Sequence, residues 1–124
     1  MTKDAFDAAI ASLDAEDAVQ RAQAAARLAP YRVTNAVLMA AGCGSRLAPI
    51  TDHTPKGLLR VRGEVLAERQ IAQLRAAGIA DIYLVVGYLK EQFSYLASDP
   101  HIHLVVNEDY HCCNNTSSLF RVLD

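Results

Sequence analysis

The sequence predicts an α/β fold, a three-layer parallel sheet preceded by a helical segment. Short apolar runs alternate with amphipathic stretches from Val33 onward, which is the pattern of strand and helix in turn. Two of the runs are closed by glycines, at Gly42 and Gly87, as expected where buried strands enter loops. The residues before Pro30 contain no such run and are rich in alanine. A chain of 124 residues suits one small domain. We divide it into a helical segment, 1–30, and an α/β domain, 31–124.

The elements follow in order. Phe6, Ile10 and Leu13 recur at helical spacing, and Asp14 with Asp17 marks the start of a second helix through a capping interaction. That helix runs from Val19 to Leu28 with Arg21 and Arg27 outward, and Pro30 stops it. Its hydrophobic face is weak, so the segment reads as an appendage. Ala36 to Ala40 is a continuous apolar run, the form of a strand buried on both faces, and Leu58 to Val61 is a short extension. Val65 to Ala77 reads as a helix with Ala67, Ile71 and Leu74 on one face and Gly78 at its end. Ile82 to Val86 is a second buried strand. Lys90 to Ala97 is a short helix with Phe93 and Leu96 inward. Ile102 to Val106 is a third strand, and Thr116 to Leu123 begins a helix capped by Asn115. Strands so interleaved pair in parallel, and ligands bind outside their carboxyl ends. The loops after Ala40, Val86 and Val106 all lie on that edge.

Composition narrows the function. Hydrophobic residues make up 52% and charged residues 21%, ordinary for a globular domain. The net charge is -2 with no basic stripe, which argues against nucleic acid as a partner. Met1-Thr2-Lys3-Asp4 leads into no apolar stretch of a signal peptide, and the run Ala36 to Ala41 is far too short for a membrane span. A cytoplasmic protein is expected. Cys43, Cys112 and Cys113 read as reduced thiols, because adjacent cysteines rarely meet disulfide geometry. His101, His103 and His111 lack the spacing of a metal site with them.

Chemistry concentrates in Ala40-Ala41-Gly42-Cys43-Gly44-Ser45-Arg46. Glycines at 42 and 44 permit positive φ and close approach of backbone to ligand. Successive N–H groups in such a turn form a concave anion site. Arg46 adds a planar fork of donors for phosphate oxygens, and ten residues on Lys56 adds a second cation, on a loop stiffened by Pro49 and Pro55. Two other glycine loops are excluded by spacing. A dinucleotide fingerprint needs glycine where Leu47 stands, and a Walker loop needs Gly-Lys-Ser/Thr, whereas Lys56 precedes Gly57. From spacing alone, a turn without a ligand remains as good a reading as a phosphate site.

The run from Ala40 to Pro49, followed by Thr51 and Pro55-Lys56, resembles the A-A-G-x-G-S/T-R…P-x-T…P-K pattern of nucleotidyltransferases that activate sugar phosphates and related compounds. Within that superfamily the chain is similar to bacterial choline-phosphate cytidylyltransferases. That likeness rests on Gly63 to Gln70, Val86 to Glu91, Val106 to Tyr110 and Asn114 to Leu119. The resemblance implies a Rossmann-like fold of the nucleotide-diphospho-sugar transferase type, of which this chain holds the nucleotide-binding half. It implies transfer of a nucleotidyl group, with CTP favoured, to a phosphorylated small molecule such as phosphocholine, with release of pyrophosphate. Sugar 1-phosphate is the alternative acceptor. A non-catalytic nucleotide-binding module and an inactive fragment are the other readings.

By the same resemblance Arg46 and Lys56 are the catalytic cations. Ala40, Ala41, Gly42, Gly44, Ser45, Gly87, Tyr88, Asn115 and Ser117 are the nucleotide-binding set. Asn114, Asn115, Ser117 and Tyr88 also have ordinary structural readings, as turn, cap, first-turn and sheet-edge residues. Mg²⁺ is expected as cofactor, held by an aspartate beyond the helix that begins near Thr116, and Asp124 stands too early to supply it. The chain alone is therefore expected to be weakly active or inactive. Its sheet is expected to leave an exposed edge open to self-association.

Overall fold

The structure, a computed structural model, describes residues 1–112 and 115–123. Cys113, Asn114 and Asp124, read above as a thiol, a turn residue and a residue too early to bind metal, lie outside them. The chain forms two compact units, Met1–Val33 and Thr34–Asp124.

In the first unit, α1 (Lys3–Ala11) and α2 (Ala18–Leu28) are joined by a 3₁₀ turn over Ser12–Asp14. Thr2 Oγ1 accepts from the Ala5 N–H at 3.2 Å and Asp17 Oδ1 from the Val19 N–H at 2.8 Å, so each helix has a side-chain cap. Asp17 caps alone, since Asp14 belongs to the 3₁₀ turn. The expected stripe of Phe6, Ile10 and Leu13 is not what is buried. Ile10 and Leu13 are exposed, and Ala9 and Ala24 are the buried residues, because only small side chains fit between closely approaching helices. Phe6 meets Tyr31 edge to face at 5.6 Å. Arg21 remains exposed but turns back to donate to the Ala15 and Glu16 carbonyls at 2.6 and 2.8 Å.

The second unit is built on three parallel strands, β1 (Asn35–Ala40), β4 (Asp81–Val86) and β5 (Ile102–Val106), in the order β1-β4-β5. Between β1 and β4 lie the two-residue antiparallel strands β2 (Arg60–Val61) and β3 (Glu64–Val65), then α3 (Leu66–Ala76). The helix expected from Val65 thus starts one residue later, with Val65 paired to Arg60. The stretch after β4 is a 3₁₀ helix over Lys90–Ser98, with Phe93 and Leu96 buried as expected.

Alternation along β4 supplies both faces of the sheet. Ile82, Leu84 and Val86 form the core with Ile71 of α3, Phe93, Leu96 and Ile102. Val85 points the other way and is equally buried, on the face where α4 (Asn115–Leu123) packs on all three strands. The layers are therefore helix, sheet, helix. Phe93 is fully buried, which contributes about 2–3 kcal/mol.

One expectation is overturned. The apolar run of β1 predicts burial on both faces, yet among the described residues β1 pairs only with β4 and Met39 is 51% exposed. An apolar run is the same in an edge strand as in a central one, and β4 holds the central place.

At the opposite end of the sheet, Asp81 Oδ1 lies 3.3 Å from both His101 Nδ1 and His103 Nε2. Hydrogen bonds from His101 first, and then from His103, hold its carboxyl below the ordinary 3.8. A lowered carboxyl contributes stability above its ordinary value and loses it as pH falls through the folded one. Asp81→Asn is therefore expected to lower the urea midpoint near neutral pH, with the difference from the parent closing as pH falls below the ordinary carboxylate range. Urea titrations across that range check it, and a gap that persists in acid refutes it.

Candidate functional site

The register levels the strands at their carboxyl ends: Ala40 pairs with Val86, and Val86 with Val106. The three loops after them start side by side. In the first, the Ala41 carbonyl accepts from the Tyr88 N–H at 3.0 Å, and the Gly44 carbonyl accepts from Thr51 Oγ1 at 2.8 Å. The Leu47 N–H also bonds the Gly44 carbonyl, at 2.9 Å. The N–H groups of Gly42, Cys43, Gly44, Ser45 and Arg46 make no hydrogen bond among the described residues. The Ala41 and Gly44 carbonyls are occupied while the donors stay open, which favours binding an anion through backbone.

The two glycines have different reasons to be glycine. Gly44 has φ +62°, and a β-carbon there would lie 3.1 Å from the Thr51 methyl and 3.4 Å from Lys56 Cβ. Gly42 does not share the positive φ expected of it, and a β-carbon there would meet nothing within 4 Å. What Gly42 offers is open space.

Arg46 and Lys56 are exposed, and neither makes an ion pair or side-chain hydrogen bond among the described residues. Two cations without partners beside a row of open N–H groups form a field suited to phosphate. A cleft of about 720 Å³ runs along β1 from Val37 to Ala40 and along α3 from Leu66 to Gln73, and Gly42, Gly44, Lys56 and Asn115 also line it. That volume is in the range of small-molecule sites. Arg46 and Ser45 stand on the same loop but outside this lining, and Ala41 is buried beneath it.

The remaining candidates form a supporting layer. Gly87 is buried, and a β-carbon there would come within 2.7 Å of the Tyr110 ring and 2.8 Å of the Asn107 carbonyl. The Tyr88 hydroxyl is shared between the Thr51 and Asp52 carbonyls, at 2.8 and 3.1 Å. Asn115 is the first residue of α4 and not the cap expected, since the helix begins one residue earlier than the apolar spacing indicated. Ser117 accepts from Asn107 Nδ2 at 3.2 Å.

Three residues of this layer are given no role by the sequence patterns. Asn107 is fully buried: its Nδ2 also donates to Ser118 Oγ at 3.0 Å, and its Oδ1 accepts from the Asp109 N–H at 3.1 Å. The last bond is an Asx turn, and a polar Asn at the end of a buried run with a residue pair such as Glu108-Asp109 after it is the signal that locates one. Tyr110 packs on Gly87 and meets Tyr88 at 6.2 Å. Thr51 is 2% exposed on a surface loop, and nothing in its local sequence marks that burial. Lys90 Nζ donates to Glu108 Oε1 at 2.6 Å, and that hydrogen bond holds the ammonium above its ordinary range.

The parallel sheet with helices on both faces and a glycine loop at the carboxyl end of its first strand matches a Rossmann-like nucleotidyltransferase fold. The chain belongs to the MobA-like NTP transferase domain family, whose pattern matches residues 36–124. It is 48% identical over 87 residues to a choline-phosphate cytidylyltransferase of Streptococcus pneumoniae, covering 70% of this chain and 38% of that protein. It is 49% identical over 92 residues to a 2-aminoethylphosphonate cytidylyltransferase of Lancefieldella rimae, covering 73% and 37%. A solved structure of CTP:phosphocholine cytidylyltransferase from Streptococcus pneumoniae superposes with a TM-score of 0.68 at 46% identity, covering 73% of this chain and 40% of that one. The chain thus spans about two fifths of the length of the relatives it matches.

Among the described residues no group of three His, Cys, Asp or Glu side chains is placed to hold a metal ion. None of their helices is long and apolar enough to cross a membrane.

The glycines separate in a stability test. Gly87→Ala should cost about 1–3 kcal/mol, because the Asn107 carbonyl is backbone and cannot yield. Gly42→Ala should stay within about 0.5 kcal/mol of the parent. Urea unfolding of both variants measures the difference, and equal losses would contradict the geometry.

Proposed function

We propose that this chain is the nucleotide-binding half of a cytidylyltransferase, which moves a cytidylyl group from CTP to a phosphorylated small molecule and releases pyrophosphate. The observation that carries the reading is the row of open N–H groups from Gly42 to Arg46, flanked by the unpaired cations Arg46 and Lys56. The names of the relatives favour CTP and an acceptor such as phosphocholine or a phosphonate. In this reading the loop cradles the triphosphate, Arg46 holds the β- and γ-phosphates, and Lys56 steadies charge near the α-phosphate. An acceptor oxygen attacks the α-phosphorus in line, the bond to the pyrophosphate oxygen breaks, and positioning with charge neutralisation lowers the barrier.

Mg²⁺ belongs to the proposal through the family resemblance alone. Among the described residues no group of three His, Cys, Asp or Glu side chains is placed to hold it. Sugar 1-phosphate is the alternative acceptor. A cytoplasmic location and the absence of a nucleic-acid partner are part of the same proposal, supported by the mixed charge of the chain. So is self-association along β1, supported by an edge strand with Met39 exposed beside it.

Calorimetric titration with CTP, UTP, GTP and ATP tests the reading: binding with preference for CTP is expected, and no affinity for any nucleotide overturns it. Arg46→Ala should weaken CTP by about ten- to a hundredfold, as for loss of charge-assisted hydrogen bonds. Lys56→Ala should cost less, since a lysine acts as a point charge.

A further inference from the structure

The glycine loop is held from behind by two residues whose polar groups all face inward. Thr51 is 2% exposed; its hydroxyl donates to the Gly44 carbonyl, and its methyl occupies the space beside Gly44. The Thr51 carbonyl in turn accepts from the Tyr88 hydroxyl, and Gln92 Nε2 donates to the His53 carbonyl at 2.7 Å. Tyr88 also reaches the loop directly, its N–H donating to the Ala41 carbonyl. One tyrosine therefore grips the loop at both ends, at Ala41 by its backbone and at Gly44 through Thr51.

Peptide planarity turns this grip into aim. In a trans peptide the C=O and the following N–H point in opposite directions. Tying the Ala41 carbonyl inward turns the Gly42 N–H outward, and tying the Gly44 carbonyl inward does the same for the Ser45 N–H. Glycine at 44 leaves that peptide little barrier of its own against rotation. If it flipped, it would present a carbonyl oxygen to the anion in place of a donor.

We propose that Thr51 and Tyr88 are positioning residues for the nucleotide, a two-point clamp that keeps the Gly42 and Ser45 N–H groups facing the triphosphate. The proposal rests on the nucleotide-binding reading above. It assigns Tyr88 to the support of the loop and leaves the base to other groups.

Three variants separate aim from bulk. Thr51→Val keeps the shape and methyl and removes the hydroxyl; Thr51→Ser keeps the hydroxyl; Tyr88→Phe removes one oxygen. CTP affinity by calorimetry should fall about five- to tenfold in Thr51→Val and in Tyr88→Phe, and return to within about twofold of the parent in Thr51→Ser. The Thr51→Val/Tyr88→Phe pair should lose less than the product of the single effects, because both act through one loop. Equal losses in Val and Ser at 51, or parent affinity in Val, overturn the clamp. The ¹⁵N order parameters of Gly44 and Ser45, measured without ligand, provide an independent test. They should drop in Thr51→Val and stay at the parent value in Thr51→Ser, and unchanged values in Val overturn the proposal. If the parent binds no CTP, the nucleotide reading falls, while the order parameters still decide whether the clamp exists.

Discussion

Pairing of β4 with a neighbour on each side is the constraint from which the site follows. β4 carries the apolar run that fills both faces, and its hydrogen bonds set the register of β1 and β5. Because Ala40, Val86 and Val106 stand abreast, with strands spaced about 4.8 Å apart, three loops begin within about 10 Å of each other. A slip of one residue would turn Ile82, Leu84 and Val86 to the other face and separate the loops together. Core packing and site geometry are thus one requirement.

Above that level edge the chain arranges backbone polarity. Carbonyls of the first loop and of residues 51 to 53 are bound by Tyr88, Thr51 and Gln92, and the N–H groups of the first loop are left outward. The third loop is closed by the Asn107 network and braced by the exposed pairs Lys90–Glu108 and Arg121–Asp109, which contribute modestly to stability. Tyr110 meets Gly87 between the second and third loops, where only glycine fits.

Periodicity makes the strands after residue 33 and the inward faces of Ile71, Phe93 and Leu96 readable, because burial selects residue type directly. It does not reveal that β1 lies at an edge, since pairing is decided by partners far along the chain. Nor does it reveal the burial of Ala9 and Ala24, because small residues carry no periodic signal. At the site, Gly42, Gly44, Lys56 and Asn115 line one cleft. The bonds of Thr51 and the Tyr88 hydroxyl, and those of Asn107 to Ser117 and Ser118, are not visible in the sequence. Each depends on a hydrogen bond across a loop whose course no local pattern specifies.

The bound carbonyls of the first loop also fix when its freedom is lost. Holding a glycine-bearing segment in one shape costs about 1–2 kcal/mol of backbone entropy per residue. Here the bonds to Thr51 and Tyr88 form with the fold itself, so that entropy is given up during folding and not again at each encounter with a ligand. The N–H groups of Gly42 and Ser45 are thereby oriented before any ligand arrives, which lowers the ordering cost of binding one.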